Sequence, residues 1–162
     1  MPIADPSGNG LFFPSGAHKI RGFETAVTGH VTPDWQTSLG YAYTDARITS
    51  DTSATIVAGN RVQLVPYNQF SLWNKYQMLK RLGVGVGLVR RTDMFASIDN
   101  SVVLPAYTRV DGAVFYSFNE RWRLQANIEN MLDTRYYQNA DNNTNISPGS
   151  PRAMKVAMVA RF

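Results

Sequence analysis

The sequence contains no cysteine in its 162 residues, so neither a disulfide framework nor a thiolate metal site can form. It also has little charge, because Asp, Glu, Lys and Arg make up 17% of the chain, against roughly 25% in typical soluble domains. Aromatic residues are well represented, at 12%. So few charges do not suit a protein surrounded only by water, and we expect another medium to cover part of the surface.

Long apolar runs are also missing. No stretch approaches the roughly 18 consecutive apolar residues of a membrane-spanning helix, which excludes a helical membrane protein. The first residues lack the basic start and apolar middle of a signal peptide, so we expect no export signal in the chain as given. The net charge is +4, but Lys and Arg are scattered, with no run beyond Arg90-Arg91, and a nucleic-acid partner is not expected.

The chain does show alternation with a period of two, which indicates β-strands with two chemically different faces. Between positions 82 and 88, for example, Leu or Val at even positions alternates with Gly at odd ones. The segments with this pattern lie at about 23–31, 35–44, 69–78, 82–88, 109–118, 122–129 and 154–162. In each of them one face is bulky and apolar and the other is small or polar.

The connections between these segments alternate between short and long. Three are turn-like, at Thr32-Pro33-Asp34, Leu79-Lys80-Arg81 and Asn119-Glu120-Arg121, and three are long and polar, at about 48–66, 92–106 and 134–151. Tight turns would lie at one end of the strands and large loops at the other, as in outer-membrane barrels. The pattern therefore predicts an all-β fold, an antiparallel up-and-down transmembrane β-barrel segment of about seven strands.

Aromatic residues near both strand ends favour a membrane-spanning barrel. Trp35, Phe118 and Trp122 lie beside the short turns, and Tyr43, Tyr107, Tyr136 and Tyr137 lie toward the long loops, so their rings would mark the two interfaces of a bilayer. A soluble β-sandwich with these rings in its core is the alternative. Its outer face would be expected to carry more charge than the glycines, alanines and serines found here.

Seven strands are an unusual number, because single-chain bacterial barrels have an even number. Leu11-Phe12-Phe13 is at most the stump of an earlier strand. We therefore expect an irregular lead-in at 1–19, and at 20–162 the carboxyl-terminal part of a larger barrel, which ends on Phe162. A compact eight-stranded barrel made from this chain alone is the less favoured interpretation.

Several stretches carry a further signal: Arg21-Gly22-Phe23-Glu24, the strand from Leu39 to Ala46, Leu104-Pro105-Ala106-Tyr107, the segment from Asn127 to Tyr137, and the loop from Asn142 to Arg152. Together they resemble the end of TonB-dependent siderophore receptors of the ferric-catecholate type. The resemblance implies an outer-membrane barrel, filled by a plug domain, that imports ferric siderophores with energy from the TonB complex. By the same resemblance, the chain as given is expected to lack the plug and not to transport by itself. A small stand-alone structural or adhesive outer-membrane barrel is the alternative.

The resemblance also implies the partners and the location. The partners would be outer-membrane lipid, a ferric siderophore, the plug and the TonB complex, and the location would be the bacterial outer membrane. Iron would arrive already chelated, so no cofactor and no metal site are expected; His18 and His30 have no second ligand at metal spacing. No trio of catalytic side chains is visible, and an enzyme is not expected.

The candidate site residues form two sets. A ferric siderophore is often anionic and aromatic, so its candidate contacts are arginines and tyrosines near the long loops: Arg90, Arg91, Arg135, Tyr136 and Tyr137. Alternatively, these arginines meet lipopolysaccharide phosphate or solvent, and the tyrosines belong to the interface belt. The second set is expected on the inner barrel wall, facing the plug: Arg109, Asp111, Arg123 and Glu129.

Simple pairing across the turn at 119–121 would place Asp111 near Glu129. Like charges opposite each other are unfavourable. These carboxylates would either receive basic groups from the plug or be neutralised by the neighbouring Arg109 and Arg123, and we favour neutralisation.

Overall fold

The computed structural model describes residues 2–4, 12–14, 17–51 and 53–161. The strands are β1 (Pro2–Ala4), β2 (Phe12–Pro14), β3 (His18–Thr32), β4 (Trp35–Ile48), β5 (Asn68–Leu79), β6 (Leu82–Arg91), β7 (Met94–Phe95), β8 (Val103–Leu104), β9 (Tyr107–Ser117), β10 (Trp122–Glu129), β11 (Tyr137–Ala140), β12 (Ile146–Pro148) and β13 (Ala153–Ala160). In the described residues no helix is long and apolar enough to cross a membrane. The lead-in contains a short antiparallel pair, β1 with β2, and β3 already begins at His18.

Seven long strands form one antiparallel sheet in the order β13-β10-β9-β6-β5-β4-β3. Each long strand pairs with the next long strand along the chain, which confirms the predicted up-and-down topology. The short turns and long loops also fall at the predicted places and at opposite ends of the strands. The sheet is not closed, since β3 and β13 are its edges within the described residues. The expected aromatic end, Phe162, lies outside the described residues.

The register keeps the two kinds of side chain on opposite faces. Across neighbouring strands Leu39 is paired with Leu72, and Leu72 with Leu88. The apolar face is the one that bears Phe23, Val27, Leu39, Leu72, Val84, Val114, Val156 and Met154. Phe23 is 59% exposed and Met154 is 72% exposed. An exposed apolar patch that runs across a whole sheet requires a covering partner other than water.

The polar face bears Ser38, Gly40, Lys75, Gly85, Arg109, Gln125 and Lys155. A one-residue slip of any strand would exchange its two faces, so the difference between the faces fixes the register.

Two neighbouring residues of β5 break the alternation. Asn74, on the apolar face, accepts a hydrogen bond of 2.9 Å from Nε1 of Trp35, which satisfies its amide oxygen. Trp73, on the polar face, lies against Gly85 and Gly87 of β6, where an added Cβ would come within 2.6 Å of the indole at either position. The glycines of β6 therefore leave the space in which a large ring lies against the wall.

The three long loops pack together instead of standing separately. We name them loop 1 (49–67), loop 2 (92–106) and loop 3 (130–152). Loop 2 contains the β7–β8 pair and loop 3 contains the β11–β12 pair. A small apolar core joins them: Met94, Ala96, Val102 and Leu104 of loop 2, Ala140 and Ile146 of loop 3, and Leu64 of loop 1.

Polar contacts link the same loops. The backbone N–H of Arg61 donates to Oδ1 of Asn100 at 2.7 Å, and Nδ2 of Asn100 donates to the carbonyl oxygen of Arg61 at 2.8 Å. The Arg61 guanidinium also pairs with Asp93 at 3.0 Å, which completes the link between loops 1 and 2. Loops 2 and 3 are linked by Nδ2 of Asn143, which donates to Oδ2 of Asp99 at 2.9 Å. The long-loop end is therefore a single connected layer.

The link between loops 2 and 3 is expected to depend on pH. The hydrogen bond from Asn143 lowers the pKa of Asp99 below its ordinary value. A carboxylate with a lowered pKa stabilises the contact above its unfolded pKa, and that contribution is lost as the pH falls through the lowered value. We expect spin labels at Pro105 and Asn145 to show a distance distribution that is narrow at neutral pH and broadens in acid.

A matched variant tests whether Asp99 is responsible. Asp99→Asn is expected to abolish the pH dependence, because position 99 no longer titrates. Asp141→Asn changes a carboxylate of loop 3 that forms none of the hydrogen bonds found between the described loops, and it should leave the dependence intact. Broadening that persists in Asp99→Asn would assign the transition to another group.

Candidate functional site

A polar cluster lies where β9 and β10 reach loop 3, on the polar face. Nη1 of Arg109 donates to Oε1 of Glu129 at 2.7 Å, and Nη2 donates to Oδ2 of Asp111 at 3.0 Å. The pairing of Gly112 with Ile128 brings Asp111 to the level of Glu129, as the sequence predicts. Arg109 thus lies between two carboxylates that would otherwise repel each other.

Arg123 does not join this cluster. It pairs with Ser117 and Val159 near the short turns, and no ion pair in the described chain includes it. Arg123 and Glu129 stand near opposite ends of β10, roughly 20 Å apart at about 3.3 Å per residue. The prediction that both arginines neutralise the carboxylates is therefore correct for Arg109 and wrong for Arg123.

A tight turn after β10 connects the cluster to loop 3. Asn130, which is 0% exposed, has φ of 52°, and Asp133 has the same value. Nδ2 of Asn130 donates to the carbonyl oxygens of Thr134 at 2.9 Å and Ser150 at 3.0 Å, while its Oδ1 accepts from the backbone N–H of Thr134 at 2.9 Å. Its own backbone N–H donates to Oδ1 of Asp111 at 2.8 Å. The turn therefore fixes loop 3 against the polar cluster.

Tyr136 is the residue of loop 3 that this turn positions. Its side chain is buried, with 6% exposure; the ring stacks on Tyr107 at 4.3 Å between centroids, and its hydroxyl accepts from Arg109 at 3.1 Å. A Cβ on Gly149 would collide with the same ring. Tyr107 is two residues from Arg109 and shares its face, so the prediction that Tyr107 and Tyr136 belong to the interface belt is wrong. In the sequence, the separation of two residues between Tyr107 and Arg109 indicates that both side chains lie on the same face of β9.

Arg90 and Arg91 project from opposite faces because they are consecutive in β6. Arg90 is paired with Phe70 and Thr108 on the apolar face, and its Nη1 donates to Oγ1 of Thr108 at 2.9 Å. Arg91 lies on the polar face, donates to the carbonyl oxygen of Gln138 at 2.7 Å, and stands 5.4 Å from the ring centre of Tyr107.

Arg135 and Tyr137 are exposed and line a cleft of about 320 Å³ in loop 3, with the segment 148–151 as its other wall. The structure therefore brings Arg91, Tyr136 and the loop 3 residues to the same end of the sheet, and places Arg90 on the other face. Within the described residues no group of three or more His, Asp or Glu is placed to hold a metal ion. The arrangement offers cations, hydrogen-bond donors and rings, which suit binding.

Comparison with known proteins supports the interpretation as a barrel. The family described as "TonB dependent receptor-like, beta-barrel" matches residues 2–131. The probable TonB-dependent siderophore receptor PiuA of Acinetobacter baumannii is 34% identical over 134 residues, which cover 77% of this chain and 18% of PiuA. The metal-pseudopaline receptor CntO of Pseudomonas aeruginosa is 32% identical over 167 residues, which cover 98% of this chain and 23% of CntO.

Solved structures agree. The crystal structure of PiuA superposes with a TM-score of 0.86 at 30% identity and covers 98% of this chain and 23% of PiuA. The closed form of the ferric-catecholate import receptor Fiu from Escherichia coli gives a TM-score of 0.78 at 25% identity, with the same coverage, 98% and 23%. The chain thus spans less than a quarter of the length of these relatives. It belongs to the TonB-dependent receptor family, and its seven-stranded sheet is a segment of that family's β-barrel.

Proposed function

We propose that this chain forms part of the barrel wall of a bacterial outer-membrane receptor that imports ferric siderophores with energy from the TonB complex. The observation that carries the proposal is the two-faced sheet, in a chain of this family. The apolar face suits lipid, and the polar face suits a wet lumen. Two of the relatives are named for a siderophore or a metal-pseudopaline cargo, which supports a metal chelate as the ligand here.

The chain by itself is not expected to transport. In the described residues β3 and β13 are the open edges of the sheet. Unpaired backbone N–H and C=O groups are costly in lipid, so a membrane-spanning sheet has to close. We infer that further strands of a larger receptor complete the barrel and that a plug fills its lumen. The cluster of Arg109, Asp111 and Glu129 would then face that plug.

The proposed ligand contacts are Arg91, Arg135 and Tyr137, at the long-loop end. Two of these are cations that can bind an anionic chelate, and the tyrosine offers a ring. Tyr136 is buried between Arg109 and Tyr107, so its proposed role is to position loop 3. Arg90 shares the apolar face with Phe70 and is proposed to meet lipid phosphate.

The two adjacent arginines allow a sharp test. The complete receptor is produced in an iron-starved strain that lacks its own siderophore receptors, and uptake of radioiron is measured with a panel of catecholate siderophores. A hydrogen bond to a charged group contributes about 1.5 kcal/mol or more. We therefore expect Arg91→Gln to raise the siderophore concentration needed for half-maximal uptake about tenfold. Arg90→Gln, the matched control on the other face, should change this concentration by less than about twofold.

Two results would contradict the proposal. Uptake that persists in a strain without TonB would refute energy-coupled import. Equal losses of uptake at limiting siderophore in Arg91→Gln and Arg90→Gln would refute the assignment of ligand contacts by face. They would leave the proposed receptor function in place.

A further inference from the structure

The short-turn end of the sheet carries a cluster of cations. Five of them, Lys80, Arg81, Arg121, Arg123 and Arg161, line a cleft of about 370 Å³ together with a single carboxylate, Glu120. They come from the β5–β6 turn, the β9–β10 turn, β10 itself and the residue after β13. Three sequence-distant segments, 80–81, 117–123 and 159–161, therefore converge on one positively charged cleft, which we call the arginine cleft.

Backbone pairing sets the position of the arginine cleft. The N–H of Ser117 donates to the carbonyl oxygen of Arg81 at 2.8 Å, and Ser117 is paired with Arg123. The N–H of Arg161 donates to the carbonyl oxygen of Arg121 at 2.9 Å. These contacts bring the ends of β6, β9, β10 and β13 side by side, and Ser117 lines the cleft between Arg81 and Arg123.

Three strand residues that line the cleft, Ser117, Arg123 and Val159, lie on the polar face. Ser117 and Arg123 alternate with Tyr116 and Leu124, which are paired with each other on the apolar face. Trp122, on the apolar face, lines the edge of the cleft at the level of the short turns and is 41% exposed. Lipid headgroups would approach from the side of these aromatic residues, whereas Arg123 stands on the side of the lumen.

The charges of the cleft are not compensated within the described chain. Every ion pair found there belongs to Arg47, Arg61 or Arg109, so none involves the arginine cleft, and Glu120 is likewise unpaired. Neighbouring like charges repel, and a concave surface lined by five cations and one carboxylate concentrates a positive potential. The arrangement is therefore suited to an anionic partner.

We propose that the arginine cleft binds a carboxylate-rich peptide segment that reaches the polar face from the short-turn side. Guanidinium groups form bidentate hydrogen bonds with carboxylates, and several guanidinium groups spread over neighbouring strands match several carboxylates along an extended chain. A lipid phosphate is disfavoured because Ser117 and Arg123 stand on the side opposite the apolar face. The inference rests on the proposed function in one respect, that the polar face lines a lumen.

The test is a photo-crosslink from Ser117 in the wall of the cleft. Ser117 is replaced by the photoreactive residue p-benzoylphenylalanine in the chain as its host cells produce it, and outer-membrane vesicles are irradiated and analysed by peptide mass spectrometry. The expected product is a crosslink to a peptide with a clear excess of Asp and Glu. Combining the photoreactive residue with Arg81→Gln, Arg123→Gln and Arg161→Gln should lower the yield at least tenfold, as should high salt.

Controls separate charge from folding. Replacing the same arginines with lysine keeps the charge and should keep most of the yield, whereas Arg90→Gln removes a cation from the other face and should not change it. Heat-modifiable migration in gels checks that each variant is folded. Crosslinks to phospholipid, to a neutral or basic peptide, or to nothing would overturn the inference, as would a yield that survives the removal of charge. Siderophore uptake is measured in the same cells. If that uptake depends on TonB, the proposed function stands even where the crosslinking result overturns the inference.

Discussion

Asn130→Ala is expected to destabilise the protein by about 3 to 5 kcal/mol. The substitution leaves the backbone N–H and C=O of Thr134 and the C=O of Ser150 without their partner in a fully buried site. Each buried polar group without a partner costs roughly 1–3 kcal/mol. Alanine also tolerates the positive φ of position 130 less well than asparagine does.

The measurement is equilibrium unfolding in urea of the receptor in lipid vesicles. Asn130→Gly loses the same hydrogen bonds but accepts positive φ, so it should be less destabilising than Asn130→Ala by about 1 kcal/mol. The matched control is Asn139→Ala, at an exposed position of β11, which should change the free energy of unfolding by less than about 0.5 kcal/mol. Comparable losses from Asn130→Ala and Asn139→Ala would disprove the structural role of the buried amide.

The sheet could be predicted from the sequence because its two faces meet different surroundings. Alternation such as that of Leu82 to Leu88 fixes which face each residue takes, and the faces fix the register of neighbouring strands. The lengths of the connections then fix the topology. These are local signals, and the structure confirms them for each long strand.

The side-chain arrangement on the polar face was harder to predict. Trp73 breaks the pattern, and only its contact with Gly85 and Gly87, more than ten positions away, shows why those glycines are there. The stacking of Tyr107 on Tyr136 likewise joins residues from two different segments. Pairwise contacts of this kind depend on tertiary structure and have no periodic signature.

The long loops were predicted only as polar connections. Their shared core uses Met94 and Leu104 of loop 2 with Leu64 of loop 1, and these residues lie in strands of two residues or in no strand at all. Such short elements carry too few residues for a period to be recognised. Asn130 lies inside a stretch that resembles the family, but the resemblance does not indicate what its side chain does. Its role follows from its burial and its hydrogen bonds in the structure.

Arg109→Met is expected to cost about 2 to 3 kcal/mol in the free energy of unfolding. Removing one partner of a buried ion pair costs roughly 3–5 kcal/mol. This cluster is partly exposed, with side-chain exposures of 23% for Arg109, 20% for Asp111 and 46% for Glu129, and solvent screening reduces the loss. The hydroxyl of Tyr136 loses its donor at the same time, so loop 3 is expected to loosen.

A second substitution separates repulsion from lost packing. Because Asp111 and Glu129 repel each other once Arg109 is removed, Arg109→Met combined with Glu129→Gln should recover about half of the loss. Higher salt should narrow the difference in unfolding free energy between Arg109→Met and the unmodified protein. Arg135→Met, which removes an exposed arginine that has no ion pair in the described chain, is the matched control and should change stability by less than about 0.5 kcal/mol.

Arg109→Met also tests the proposed contact between this cluster and a plug. A basic group supplied by the plug would neutralise the carboxylates in place of Arg109, so Arg109→Met should then cost less in the filled barrel than in a barrel whose plug has been deleted. If the cost is the same in both, Arg109 alone compensates Asp111 and Glu129, and the plug makes no charged contact at this part of the wall.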